Sequence, residues 1–152
     1  MSYTGQCACG TVTLEISGPA IAVRQCWCRQ CQQIAAGGPT QNAIFMADDV
    51  TINGDLAAHS YVAASGNRVS QNFCPTCGSH MTATNSARMH LCAVRLGAID
   101  VPHDLKPQGI IWAADAPSWA VFDPALEQIP SQPAAPPAPP PTAPPAAPSL
   151  GR

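Results

Sequence analysis

The stretch Gln25-Cys26-Trp27-Cys28-Arg29-Gln30-Cys31 gathers three thiols within a few residues of one another. Thiolates bind zinc at about 2.3 Å, and a structural zinc closes its shell with four protein ligands, whereas a catalytic zinc keeps three and leaves one position open. Three clustered thiols therefore describe a metal able to accept an outside ligand. Two further pairs, Cys7-Ala8-Cys9-Gly10 and Cys74-Pro75-Thr76-Cys77-Gly78, together supply the four ligands of a closed site. The eight cysteines divide as four, three and one, the last being Cys92. That division implies two Zn2+ ions per chain, one holding the fold and one available for chemistry.

Each group needs particular local structure. In Cys74-Pro75-Thr76-Cys77-Gly78 the two-residue gap lets both sulfurs converge on one metal, and Gly78 permits the positive φ that turns backbone amides toward the thiolates. Cys7 and Cys9 would share one face of a strand and hold a metal only in partnership with that turn. Cys28 and Cys31 repeat the two-residue gap, with Cys26 reaching the same metal from a preceding strand. Candidates for a fourth ligand there are Cys92, His59, His80, His90 and His103, none at ligand spacing from the cluster. The histidines read as surface or strand residues, with His80 near the rim of the four-thiol site. Cys92 lies in an apolar run and reads as a small buried hydrophobe, closure of the three-thiol site being the alternative. Arg29 would offset thiolate charge, hold a substrate carboxylate or simply face solvent.

Short alternating segments separated by turn residues are expected to carry these groups, and no stretch holds a sustained helical period. In Thr11–Ser17, Val12, Leu14 and Ile16 fall on one face before Gly18-Pro19 ends the strand. Ala20–Gln25 is expected to deliver the chain into the three-thiol cluster, followed by one helical turn over Gln32–Ala36. Further strands are expected at Ala43–Met46, Val50–Ile52, Ser60–Val62, Arg68–Phe73, Met89–Val94 and Gly109–Trp112. The fold class is mostly β, with few or no helices. The two thiol pairs at equivalent strand ends suggest a sheet closed by metal.

Residues 1–129 form the expected folded unit. From Pro130 the chain turns almost entirely to Pro and Ala, so 130–152 is expected to be a disordered or polyproline tail, a possible docking segment for a protein partner. Net charge is −2, with Lys106 and six scattered arginines, so no basic stripe exists to track a phosphate backbone and nucleic acid is not expected as a partner. No apolar run approaches the roughly 20 residues that span a bilayer, and the N-terminus lacks the features of an export signal. The expectation is a cytoplasmic protein without a membrane partner, its paired cysteines serving as metal ligands rather than disulfides.

The order Gly5-x-Cys7-x-Cys9-Gly10, Cys26-x-Cys28-x-x-Cys31, Phe73-Cys74-x-x-Cys77-Gly78-Ser79, Leu96-Gly97-x-Ile99-Asp100 and a late Trp119 resembles the glutathione-dependent formaldehyde-activating enzyme family, which also includes the centromere protein V group. The likeness covers roughly residues 3 to 123. It implies a coiled, mostly antiparallel β-sandwich with two zinc sites. Cys7, Cys9, Cys74 and Cys77 would be structural ligands, and Cys26, Cys28 and Cys31 catalytic ones. The implied activity is that of a carbon–sulfur lyase, with glutathione or a related small thiol and a small aldehyde as substrates. Only a few per cent of a free thiol is thiolate at neutral pH; coordination removes the proton, and the sulfur then adds to an electrophilic carbonyl to give an S-hydroxymethyl adduct. Trp27 departs from the family pattern, as do His80-Met81 and the Pro/Ala tail. The competing reading is a non-catalytic zinc module that binds thiols or a protein partner.

Overall fold

The computed structural model describes residues 2–133. Met1 and most of the expected Pro/Ala tail, residues 134–152, lie outside the described residues. Eleven strands make two sheets. Three of them, β1 (Tyr3–Gln6), β2 (Thr13–Ile16) and β5 (Val50–Asn53), form a small antiparallel sheet in the order β1-β2-β5. The larger sheet contains β3 (Ala22–Cys26), β4 (Thr40–Met46), β6 (Ala57–Val62), β7 (Arg68–Phe73), β8 (His80–Asn85), β9 (Leu91–Arg95), β10 (Gly109–Ile111) and β11 (Glu127–Ile129). Its order is β11-β10-β3-β4-β9-β8-β7-β6. Pairing is antiparallel except around β10, which lies parallel to both β3 and β11. Among the described residues the only α-helix is α1 (Arg29–Ile34), two turns at most.

The mostly β sandwich expected from the sequence is therefore present, with the parallel β10 as an addition. Crossover connections of about a dozen residues or more are what parallel neighbours require, and the chain between β9 and β10 supplies one.

Period-2 alternation sorts the side chains of the large sheet onto two faces. Val23, Ala43, Phe45, Cys92 and Val94 point into the core shared with Leu14 and Ile16 of the small sheet. The intervening residues Ala22, Arg24, Cys26, Asn42, Ile44, Leu91, Ala93 and Arg95 line a cavity on the other face. On β2 the same rule leaves Glu15 exposed between buried Leu14 and Ile16. Gly5 is required where β1 crosses the short 3-10 turn Leu96–Ala98, because a Cβ there would sit 2.1 Å from the Ala98 carbonyl oxygen.

Three strands escape the alternation signal. β1 (Tyr-Thr-Gly-Gln) has no large aliphatic residue, β8 is rich in Thr, Ala and Asn, and β11 has three residues. The helical turn begins earlier than expected, at Arg29, because Cys28 serves as its N-cap and Gln32 N donates to Cys28 O at 3.0 Å.

Candidate active site

The four-thiol group sits between the two sheets. Cys7 follows β1 of the small sheet and Cys74 follows β7 of the large one, so the pairs join the layers rather than close one sheet. The sulfurs of Cys7, Cys9, Cys74 and Cys77 all lie within 4.8 Å of one another. Cys7 Sγ is 3.5 Å from Cys9 Sγ, and Cys9 Sγ is 3.7 Å from Cys74 Sγ. Four thiolates arranged tetrahedrally at about 2.3 Å from zinc would be separated by about 3.8 Å, so the group fits that ion. Gly10 and Gly78 have φ of 75° and 73°, the left-handed turns that bring each pair together. Val12 N donates to Cys7 Sγ at 3.3 Å, support of the kind a ligating thiolate needs. Thr11 Oγ1 lies 3.1 Å from Cys9 Sγ and 3.4 Å from Cys74 Sγ.

The three-thiol group is built locally. Cys26 ends β3, Cys28 caps α1, and Cys31 is in the helix's first turn. Their sulfurs also lie within 4.8 Å of one another, and among the described residues no histidine, carboxylate or further cysteine joins them. The donor set fits zinc with three protein ligands. Gln32 fixes the helix by donating from Nε2 to Trp27 O at 2.6 Å and to Asp115 O at 2.9 Å. Trp27, which departs from the family pattern, turns away from this work. It is buried and packs against Trp119 and Phe122, with ring centroids 6.2 and 5.9 Å away.

All three thiols line a cavity of about 910 Å³ on the concave face of the large sheet. Its floor carries a residue that the sequence reading missed. Arg95 is buried at 7% exposure and donates from Nη1 to Asn42 Oδ1 and from Nη2 to Gln71 Oε1. Desolvation lowers its pKa, while Cys31, Cys26 and Cys28 act in the opposite direction. Cys31 is held well below the usual thiol range, first by hydrogen bonding to Cys26 and then to Cys28, with Thr40 and the Arg95 charge adding to it. The same crowding drives Cys26 upward. The available signal for Arg95 was a lone charge ending the apolar run Leu91-Cys92-Ala93-Val94, on the strand face that also carries Leu91 and Ala93.

Other candidates fall elsewhere. Cys92 is buried on the core face, opposite Phe45 on β4, and burial pushes its thiol up to about 11. It belongs to neither thiol group. His80 is not a ligand of the four-thiol site; its ring lies tilted against Phe73, centroids 5.6 Å apart, and it lines a second cavity of about 430 Å³ with His59 and Tyr61. His90 and His103 also stand apart from both groups. Arg29 is exposed at the cavity lip.

Comparison with known proteins agrees with this arrangement. A Rhodobacter sphaeroides protein of known crystal structure matches with a TM-score of 0.54 and 19% identity, over 66% of this chain and 91% of that one. Identity so low speaks for the fold alone. No protein of curated function matches the chain. The family model described as glutathione-dependent formaldehyde-activating enzyme matches residues 2–115, a span that contains both thiol groups, Arg95 and the strands that carry them. With most of its length inside that match, the chain belongs to the glutathione-dependent formaldehyde-activating enzyme family.

Proposed function

We propose that the protein is a carbon–sulfur lyase that joins glutathione, or a closely related thiol, to formaldehyde and cleaves the resulting S-hydroxymethyl adduct in the reverse direction. The observation that carries this reading is the convergence of Cys26, Cys28 and Cys31, without a fourth ligand among the described residues, on a cavity large enough for a whole small-molecule substrate. Cys7, Cys9, Cys74 and Cys77 would hold a structural Zn2+, and Cys26, Cys28 and Cys31 a catalytic one. The catalytic ion, when bound, supplies nucleophilic thiolate at neutral pH by displacing the thiol's proton.

The chain's own residues account for the rest. In the forward reaction the thiol sulfur forms a bond to the carbonyl carbon, the C=O π pair moves to oxygen, and that oxygen takes up a proton to replace the one the thiol released. Three cysteinates leave the site one negative charge in excess of the divalent cation. Arg95, fixed by Asn42 and Gln71, offsets that charge from below and keeps it from opposing an anionic substrate. Four of the six arginines in the chain, Arg24, Arg29, Arg88 and Arg95, line this one cavity, against a single acid, Asp115, among the described residues. Arg24 and Arg29, which line the cavity with the thiols, would meet the carboxylates of a tripeptide thiol. Ile21, Ile44 and Ile111 supply apolar wall that excludes water from the reacting atoms. A cytoplasmic setting, where thiols stay reduced, suits such a site. No helix among the described residues is long and apolar enough to cross a membrane.

The test combines metal analysis with turnover. The purified reduced protein is expected to contain two zinc ions, to bind glutathione by calorimetry and to accelerate adduct formation in exchange NMR. Binding without acceleration would replace the enzyme by a thiol-binding module, and absence of both would remove glutathione from the reading.

A further inference from the structure

Residues beyond the family match help to build the three-thiol cavity. The match ends at residue 115, yet Ser131, Gln132 and Pro133 line the cavity together with Cys28. β11 runs parallel to β10 with Ile129 opposite Ile111, so the chain leaves the sheet beside Trp112. On that rim Trp112 N donates to Ser131 O and Ala114 N to Pro130 O, both at 3.3 Å, and Trp112 Nε1 donates to Gln132 Oε1 at 3.2 Å. Trp112 has φ of 58°, a left-handed conformation rare for a bulky residue, at the point where the segment is received. From the far rim, in the turn between β8 and β9, Arg88 Nη2 donates to Pro133 O at 3.2 Å. In these contacts residues 130–133 serve only as acceptors. Pro130 and Pro133 have no N–H to satisfy and a fixed φ, so the segment has little freedom to lose when it is tied down.

We propose that residues 130–133 form a specificity-determining strap that joins the two rims and limits by size what reaches Cys26, Cys28 and Cys31. The proposal rests on the enzyme reading above only for the identity of the thiol admitted. Two weakly anchored ends would not filter, whereas anchors on opposite rims fix the width of the opening. Arg88 is the anchor whose removal frees one end, because its guanidinium makes the contact to Pro133 from the far rim.

Alkylation of Cys28 in the full-length reduced protein tests this without requiring turnover. Iodoacetamide and a fluorescein maleimide are compared peptide by peptide, with exposed Cys9 and Cys77 as internal references. In Arg88→Ala and Gln132→Ala the maleimide rate at Cys28 should rise about tenfold, the factor carried by one charge-assisted hydrogen bond, while the iodoacetamide rate stays within about twofold. Arg88→Lys, which keeps a donor, should remain close to the parent. An unchanged ratio in both loosened variants, or equal acceleration of both reagents, overturns the strap. A shifted ratio in a protein that turns over no thiol upholds the strap and sinks the enzyme reading; full turnover with an unmoved ratio does the reverse.

Discussion

The four-thiol and three-thiol groups are built in opposite ways from the same side chain. The first draws its sulfurs from segments 65 residues apart, such as Cys9 and Cys74, and from two different sheets. A metal there would close a long loop and tie layer to layer, so its binding energy would become folding energy. The second takes all its sulfurs from one β3–α1 junction that backbone pairing and Gln32 already fix. A metal there would add little crosslinking and would be free to serve chemistry. On this contrast, sequence separation of the ligands, more than their number, would distinguish a clamp from a reactive centre.

Serine substitution at one cysteine of each group should break that comparison most visibly. Cys74→Ser is expected to destabilise the fold by more than about 4 kcal/mol, the range of structural metal loss, read as a collapsed thermal transition and lost near-ultraviolet dichroism. Cys28→Ser should leave the melting temperature within a few degrees, since it removes no link between sheets. The same Cys28→Ser protein should lose turnover by more than roughly a hundredfold, because disturbing groups that merely support a ligand already costs about 10- to 100-fold. Equal melting losses in the two variants would erase the distinction drawn here.

Arg95→Gln sharpens the comparison at intermediate scale. Removing a buried cation beside three thiolates should weaken zinc retention at that site by roughly 10- to 100-fold, measured by chelator competition, while the four-thiol ion is released at the parent rate. Loss of both ions together would instead make Arg95 a general fold residue.

The smallest effect concerns the eighth thiol. Cys92 is neutral in the fold up to about pH 11, against a usual value of 9.0. Between those limits the unfolded chain ionises and the folded one does not, so stability present below pH 9 declines as the pH rises toward 11, by on the order of 2–3 kcal/mol. Cys92→Ala should flatten that alkaline decline in urea titrations. A decline of the same slope in the variant would assign it to other groups.

The division of thiols was legible because spacing alone constrains which sulfurs can converge. β2 and β9 were legible because one face is buried against a core, which forces alternation. Arg95 was not, since its role comes from Asn42 lying opposite in register and Gln71 two strands away, contacts that only the assembled sheet creates. β1 and β8 were hidden for a related reason: their places are set by neighbours already in the sheet, not by their own residues. Cys92 read correctly as a buried apolar residue, and His80, read as lying near the four-thiol site without binding it, joins neither thiol group, its ring packing on Phe73 next to Cys74.

The parallel seating of β10 between β3 and β11 also divides the molecule along the chain. Every sulfur of both groups precedes β10, Trp112 and Ser131 in the chain. A chain ending near Pro107 would thus carry all seven of these thiols but lack the part of the trio's cavity wall that Ile111, Trp112, Asp115 and residues 131–133 supply, leaving Cys26, Cys28 and Cys31 more open to oxidants and stray metals.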